Sequence, residues 1–169
     1  MTDLQQLLTS MRQGDKAAFE ALYENLKKPL YTVILRITRA PMLAEDILQD
    51  VFVKIYLEPP ATTINPRAYL YRMAYNLAID SLRKHRACAD LEEAETTIYS
   101  KFDDSCNKID IERAFFALTE KERSIVTLHI NGALKFREVA AIMGMPLGTV
   151  LWTYQKAIRK LRNLLEGAI

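Results

Sequence analysis

Residues 136–150 read FREVAAIMGMPLGTV, and this stretch decides the fold. The spacing predicts a short helix from Phe136 to Met143, closed by Gly144, because glycine enters the left-handed conformation that ends helices without steric cost. Residues 145–149 then turn into a final helix running to about Leu165. A short helix, a tight turn with glycine and a longer helix make a helix-turn-helix. In the final helix Val150, Tyr154, Ala157, Leu161 and Leu164 form the expected core stripe. That leaves Trp152, Thr153, Gln155, Lys156, Arg159 and Lys160 on or near the opposite face. Just upstream, Thr119 and Glu122 have the spacing of a capping box, which opens a helix through Leu128.

Outward from this motif, helical spacing covers nearly the whole chain and strand alternation is almost absent, so the fold class is all-α. A first helix is expected over about Asp3 to Gln13. A second runs from about Asp15 to Ala40, with Phe19, Leu22, Tyr23, Leu26, Leu30, Val33, Ile34 and Ile37 at three- and four-residue steps. Pro29 lies inside it and is expected to kink or break it. The third helix begins near Pro41, where proline at the first position and Glu45 and Asp46 behind it suit the positive end of the helix dipole. It should stop before Pro59 and Pro60. Asn65 and Pro66 read as an N-cap and first-turn proline opening a long helix to about Arg86. From Ala89 to about Asn107 the pattern weakens, and an acidic, flexible linker is expected there.

The 169 residues fit one ordinary domain or two small helical ones, and the interrupted pattern favours two. A hydrophobic fraction of 50% beside 26% charged residues describes a globular chain with a buildable core. No apolar run approaches the roughly 18 residues that cross a bilayer. The start lacks the basic and apolar regions of a signal peptide, so a cytoplasmic protein without membrane insertion is expected. Cys88 and Cys106 have no CxxC spacing or nearby histidine and read as free thiols. Net charge is only +2. Its distribution is uneven: residues 91–112 hold seven acids against Lys101 and Lys108, whereas residues 113–169 hold nine Lys/Arg against four acids. The C-terminal piece is a small basic module.

Two further helices carry unusual faces. On the third, Ala44, Ile47, Leu48, Val51 and Ile55 make a core stripe, while Asp46, Gln49, Asp50 and Val53 share the outer side. Carboxylates beside an exposed valine form either a solvated face or a surface for a partner. On the long helix, Leu70, Met73, Ala74 and Leu77 make one apolar stripe, and Tyr71, Tyr75, Ile79 and Leu82 fall largely opposite, beside Arg72. Aromatics interleaved with Arg72, Arg83, Lys84 and Arg86 can stack on unpaired bases while neutralising phosphates; equally, the tyrosines can cover a neighbouring helix.

The strings AEDILQDVFVKIY at 44–56 and AYLYRMAYNLAIDSLR at 68–83 resemble region 2 of the extracytoplasmic-function (ECF) sigma factors of the sigma-70 family. LTEKER at 118–123, with the helix-turn-helix at 136–150, is similar to their region 4. The resemblance implies region 2 over 1–88, a linker over 89–108 and region 4 over 109–169. It implies that Asp46, Gln49, Asp50 and Val53 dock on the β′ clamp helices of RNA polymerase core enzyme. Arg72, Tyr75, Asn76, Asp80 and Arg83, with Lys84 and Arg86 beyond, match the segment that melts and reads the minus-10 element. Asp80 can instead hold a neighbouring arginine, since a carboxylate facing phosphates is repelled. Thr149, Trp152, Thr153, Gln155, Lys156, Arg159 and Lys160 would face the major groove of the minus-35 element, with region 4 on the β flap. An anti-sigma factor is an expected partner, and no cofactor or metal is implied.

The final helix departs from the family. Where the commoner pattern is Lys-Ser-Arg, this chain has Leu151, Trp152 and Thr153, and Lys156 replaces a usual arginine. Two uses of Trp152 stay open, contact with thymine methyls or sugars and packing against the linker or region 2. The lost cations also leave room for a sigma-like adaptor that binds a regulatory partner without reading promoter DNA. An enzyme is not expected, since His85 and His129 lack triad or metal-ligand context and no phosphate-binding glycine loop is present.

Overall fold

The computed structural model describes residues 3–60, 65–89, 111 and 113–166, with residues 86–89 by backbone alone. The described residues are helical wherever they are regular, as the periodicity predicts. The chain divides into two compact units, Met1–Ile79 and Asp80–Ile169. The expected linker lies outside the described residues apart from Ala89, as do Cys106 and the side chains of Arg86 and Cys88.

In the first unit α1 spans Leu4–Arg12 and α2 spans Lys16–Thr38. Asp3 caps α1 by accepting from the Gln5 amide at 3.0 Å, and Asp15 caps α2 by accepting from Ala17 and Ala18. Between them Gly14 takes φ +88°, the left-handed turn that glycine makes without strain. The expected break at Pro29 does not occur: α2 is continuous through it. Proline removes one backbone donor, but the buried Leu26, Leu30, Val33 and Ile34 on either side anchor the helix through the missing bond. Arg39, left-handed at φ 62°, ends α2, and its amide bonds the Leu35 carbonyl at 2.7 Å. Pro41 opens α3, Pro41–Leu57. Helix α4, Pro66–Ala89, begins in this unit and continues past its end at Ile79; it starts where Asn65 Oδ1 accepts from the Ala68 amide at 3.1 Å.

The second unit holds α5 (Glu120–Ile130), α6 (Phe136–Met143) and α7 (Leu147–Glu166). Thr119 and Glu122 complete the predicted capping box: Glu122 N donates to Thr119 Oγ1, and Thr119 N donates to Glu122 Oε2. Gly144 ends α6 in the left-handed conformation at φ 62°. The core gathers Ala114, Phe115, Leu118, Val126, Ala157 and Leu161. Leu164 is corrected out of the core stripe, being 45% exposed, and Leu165 covers the cluster instead.

Candidate polymerase and nucleic-acid interfaces

The outer face of α3 is built as its spacing requires. Ala44, Ile47, Val51, Phe52 and Ile55 are buried, which turns Asp46, Gln49, Asp50 and Val53 to solvent, Val53 at 54% exposure. Beside this face lies a groove of about 400 Å³ whose wall includes Phe19, Tyr23, Phe52, Val53 and Tyr56. Its aromatic rings are in contact: Tyr23 and Phe52 are 4.7 Å apart between centroids, and Phe19 and Tyr56 are 5.0 Å apart. Helical spacing alone puts Phe19 and Tyr23 on a core stripe, whereas the fold brings them into this aromatic cluster. Its signal is the pair of i,i+4 aromatics, Phe19 with Tyr23 on α2 and Phe52 with Tyr56 on α3.

Helix α4 splits its tyrosines. Of the two uses left open for the tyrosines, Tyr71 takes internal packing: it is entirely buried, and the Arg67 guanidinium lies 5.6 Å from its ring centroid. Burial pushes its hydroxyl above the usual tyrosine value, and the Arg67 charge offsets part of that rise. Leu70, Ala74 and Ala78 are buried with it, so Tyr71 belongs to the core and cannot stack on bases. Tyr75 is half-buried, while Arg72, Asn76, Arg83 and Lys84 are exposed. Asp80 lies 3.9 Å from the Arg83 guanidinium, so this carboxylate holds an arginine on its own helix.

On α7 a polar stripe runs Thr149, Trp152, Gln155, Lys156 and Arg159, all exposed, Trp152 at 59%. Two residues expected on this face are corrected. Thr153 is buried, because it continues the Val150, Ala157 and Leu161 stripe one turn on. Lys160 is half-buried and donates to Glu122 Oε2 at 2.8 Å, while Lys156 Nζ stands 3.9 Å from Glu122 Oε1. Glu122, only 3% exposed, thus draws two α7 cations toward the N-terminus of α5. Burial raises its carboxyl pKa, but the bonds from Lys160 and Thr119 outweigh burial and hold it below the usual carboxylate value. Lys156 Nζ also sits 5.1 Å from the Trp152 ring centroid. The two histidines bond backbone carbonyls, His85 to Ser81 at 3.0 Å and His129 to Leu134 at 2.7 Å. Among the described residues no three His, Cys, Asp or Glu side chains gather as metal ligands. No described helix is long and apolar enough to cross a membrane.

A helical unit with an exposed acidic face, followed by a basic helix-turn-helix unit, defines an all-helical protein of the helix-turn-helix DNA-binding class. Residues 22–88 match the Sigma-70 region 2 family and residues 114–163 match Sigma-70 region 4. The chain is 28% identical over 177 residues to the ECF RNA polymerase sigma factor SigW of Bacillus subtilis, covering 94% of this chain and 95% of that one. It is 24% identical over 178 residues to SigK of Mycobacterium ulcerans, covering 98% and 95%. This protein belongs to the ECF subfamily of sigma-70 RNA polymerase sigma factors. The same fold occurs in the sigma factor RpoE bound to the anti-sigma factor NepR from Bartonella quintana, with TM-score 0.75, 20% identity, and coverage of 88% of this chain and 96% of that one. It occurs also in CnrH bound to the cytosolic domain of CnrY, with TM-score 0.66, 19% identity, and coverage of 98% and 99%.

Proposed function

We infer that this chain directs RNA polymerase core enzyme to specific promoters and assists their melting, without chemistry of its own. The carrying observation is the presence, in one chain, of both sigma regions, each with an exposed polar face. Region 2 is assigned to 1–88, a linker to 89–108 and region 4 to 109–169. In this reading Asp46, Gln49, Asp50 and Val53 dock on the β′ clamp helices, and region 4 rests on the β flap. Carboxylates around an apolar residue favour a basic partner helix, with Val53 supplying the desolvated centre of the contact.

Arg72, Asn76, Arg83 and Lys84 follow the backbone of the minus-10 element, with Tyr75 available to stack on an unpaired base. The exposed stripe of α7 enters the major groove of the minus-35 element, where residues near the N-terminus of a recognition helix reach base edges. An anti-sigma factor is the expected regulator, as for the structural relative from Bartonella quintana. The site of action is the cytoplasm. The test is run-off transcription from the DNA upstream of the protein's own gene by core enzyme plus the purified chain. A discrete transcript that needs the chain is expected. Co-purification with core but no transcript from any promoter would instead support the adaptor that binds without reading DNA.

A further inference from the structure

Trp152 is the chain's only tryptophan, and it is 59% exposed on a stripe otherwise made of polar side chains. Its neighbour Thr153 is buried, so the helix had an inward position available at the next residue and the indole does not take it. The ring is also held. Lys156 Nζ lies 5.1 Å from the indole centroid, and the same ammonium is 3.9 Å from Glu122, whose carboxylate is bonded in turn to Thr119 and Lys160. A cation over one face favours a fixed ring orientation through attraction to the π-electrons. Trp152 stands in the second turn of α7, one turn beyond Thr149 and ahead of Arg159 on the same side.

The chemistry of this position is selective. Four bases present donors and acceptors in the major groove, but only thymine presents an apolar group there, its C5 methyl. An indole gains by covering a methyl, whereas its single N–H donor finds acceptors on several bases and discriminates less. We propose that Trp152 reads thymine methyl groups in the upstream promoter element, with Lys156 as a positioning residue that fixes the indole. The proposal rests on the reading of α7 as a major-groove helix. It adds an apolar base contact at the position where the commoner pattern has serine, beside Leu151 and Thr153, which stand where that pattern has its two cations.

The test uses the full chain bound to core enzyme and duplexes selected by that complex from a random library. Each thymine of the selected upstream element is replaced in turn by deoxyuridine, which removes the methyl and leaves every hydrogen-bonding group. Wild type should lose about fourfold in affinity at one or two positions, the worth of one buried methyl. Trp152→Ala should bind thymine and deoxyuridine duplexes alike, and Trp152→Phe, which keeps an apolar face without the N–H, should retain the preference. Lys156→Met should shrink the thymine-to-deoxyuridine ratio, and Lys156→Arg should restore it, whereas loss of a plain phosphate contact would weaken both duplexes and leave the ratio alone. A complex that initiates normally yet shows no deoxyuridine effect, or an effect that survives Trp152→Ala, overturns the proposal and leaves promoter direction standing. Loss of core binding in Trp152→Ala would make the indole a polymerase contact and overturn it too. Failure of the complex to initiate anywhere removes the underlying reading along with it.

Discussion

Removing the Glu122 carboxylate should destabilise the helix-turn-helix unit in a pH-dependent way, and the size of the effect follows from its three partners. Its side chain accepts from the Thr119 amide at 3.0 Å, closing the capping box, and from Lys160 at 2.8 Å, with Lys156 at 3.9 Å. The cap is worth about 1 kcal/mol. A charge-assisted hydrogen bond to a carboxylate is worth roughly twice a neutral one, but the Lys160 side chain is 39% exposed, and solvent screening brings that pair down to about 1 kcal/mol. Glu122→Ala should therefore cost about 2 kcal/mol, or about 10 °C in the melting temperature of a unit this small. Glu122→Gln keeps an acceptor for the Thr119 amide and should cost about half as much. Because the folded carboxyl titrates below its unfolded value, its contribution is fully present above the unfolded pKa of about 4.3 and is lost as pH falls through the folded one. Urea unfolding followed by Trp152 fluorescence reports this unit alone, since the chain has one tryptophan. Wild type should lose stability between about pH 5 and 3 more steeply than Glu122→Gln. Equal unfolding midpoints at pH 7, or equal acid slopes, would refute the assignment of Glu122 as the electrostatic link between α5 and α7.

Asp46→Lys with Asp50→Lys should abolish co-purification with core enzyme while circular dichroism stays unchanged, since the buried Ile47, Val51 and Ile55 are untouched. Unchanged co-purification would remove α3 from the docking surface. Pro29→Ala restores a backbone donor inside an unbroken α2 and should stabilise the first unit by about 1 to 3 kcal/mol in thermal melts; destabilisation would mean that the ring itself packs there. Arg159→Ala should weaken binding of the holoenzyme to all duplexes alike and reduce the slope of log affinity against log salt by about one.

Local rules predicted what lies within a turn or two of itself. Asn65, Thr119 and Gly144 act as caps because capping is a contact between near neighbours, and each was legible from residue type and spacing. The acidic outer face of α3 was legible for the same reason, its core stripe being strong enough to orient the helix. The break allowed for at Pro29 does not occur, and the propensity rule behind it cannot weigh the burial of Leu26, Leu30 and Val33 around that residue. Tyr71 stayed open and Thr153 was placed on the wrong face because both sit at the edges of apolar stripes. There a rotation of a few tens of degrees decides whether a side chain enters the core, and neighbouring helices set that rotation rather than the sequence of the helix itself.

Lys160 is the most instructive departure, since its role could not be read from α7 at any resolution of pattern. Its partner Glu122 is 38 residues away and looks from the sequence like an ordinary capping-box glutamate. The fold gives that one carboxylate two functions, closing the start of α5 and drawing Lys156 and Lys160 toward the protein. Each cation so held is less available to phosphate, which lowers the sequence-independent part of DNA affinity. Beyond these two lysines, the exposed residues of α7 include Thr149, Leu151, Trp152, Gln155, Arg159 and Arg162, so its other cations lie in the later turns while its start presents apolar and neutral polar surface. In the proposed major-groove reading of α7, a start with that balance relies more on the fit of individual base edges than on general attraction to the duplex. The absence of cations at Leu151 and Thr153 and the pairing of Lys156 and Lys160 with Glu122 would then act in the same direction, both trading non-specific attraction for discrimination.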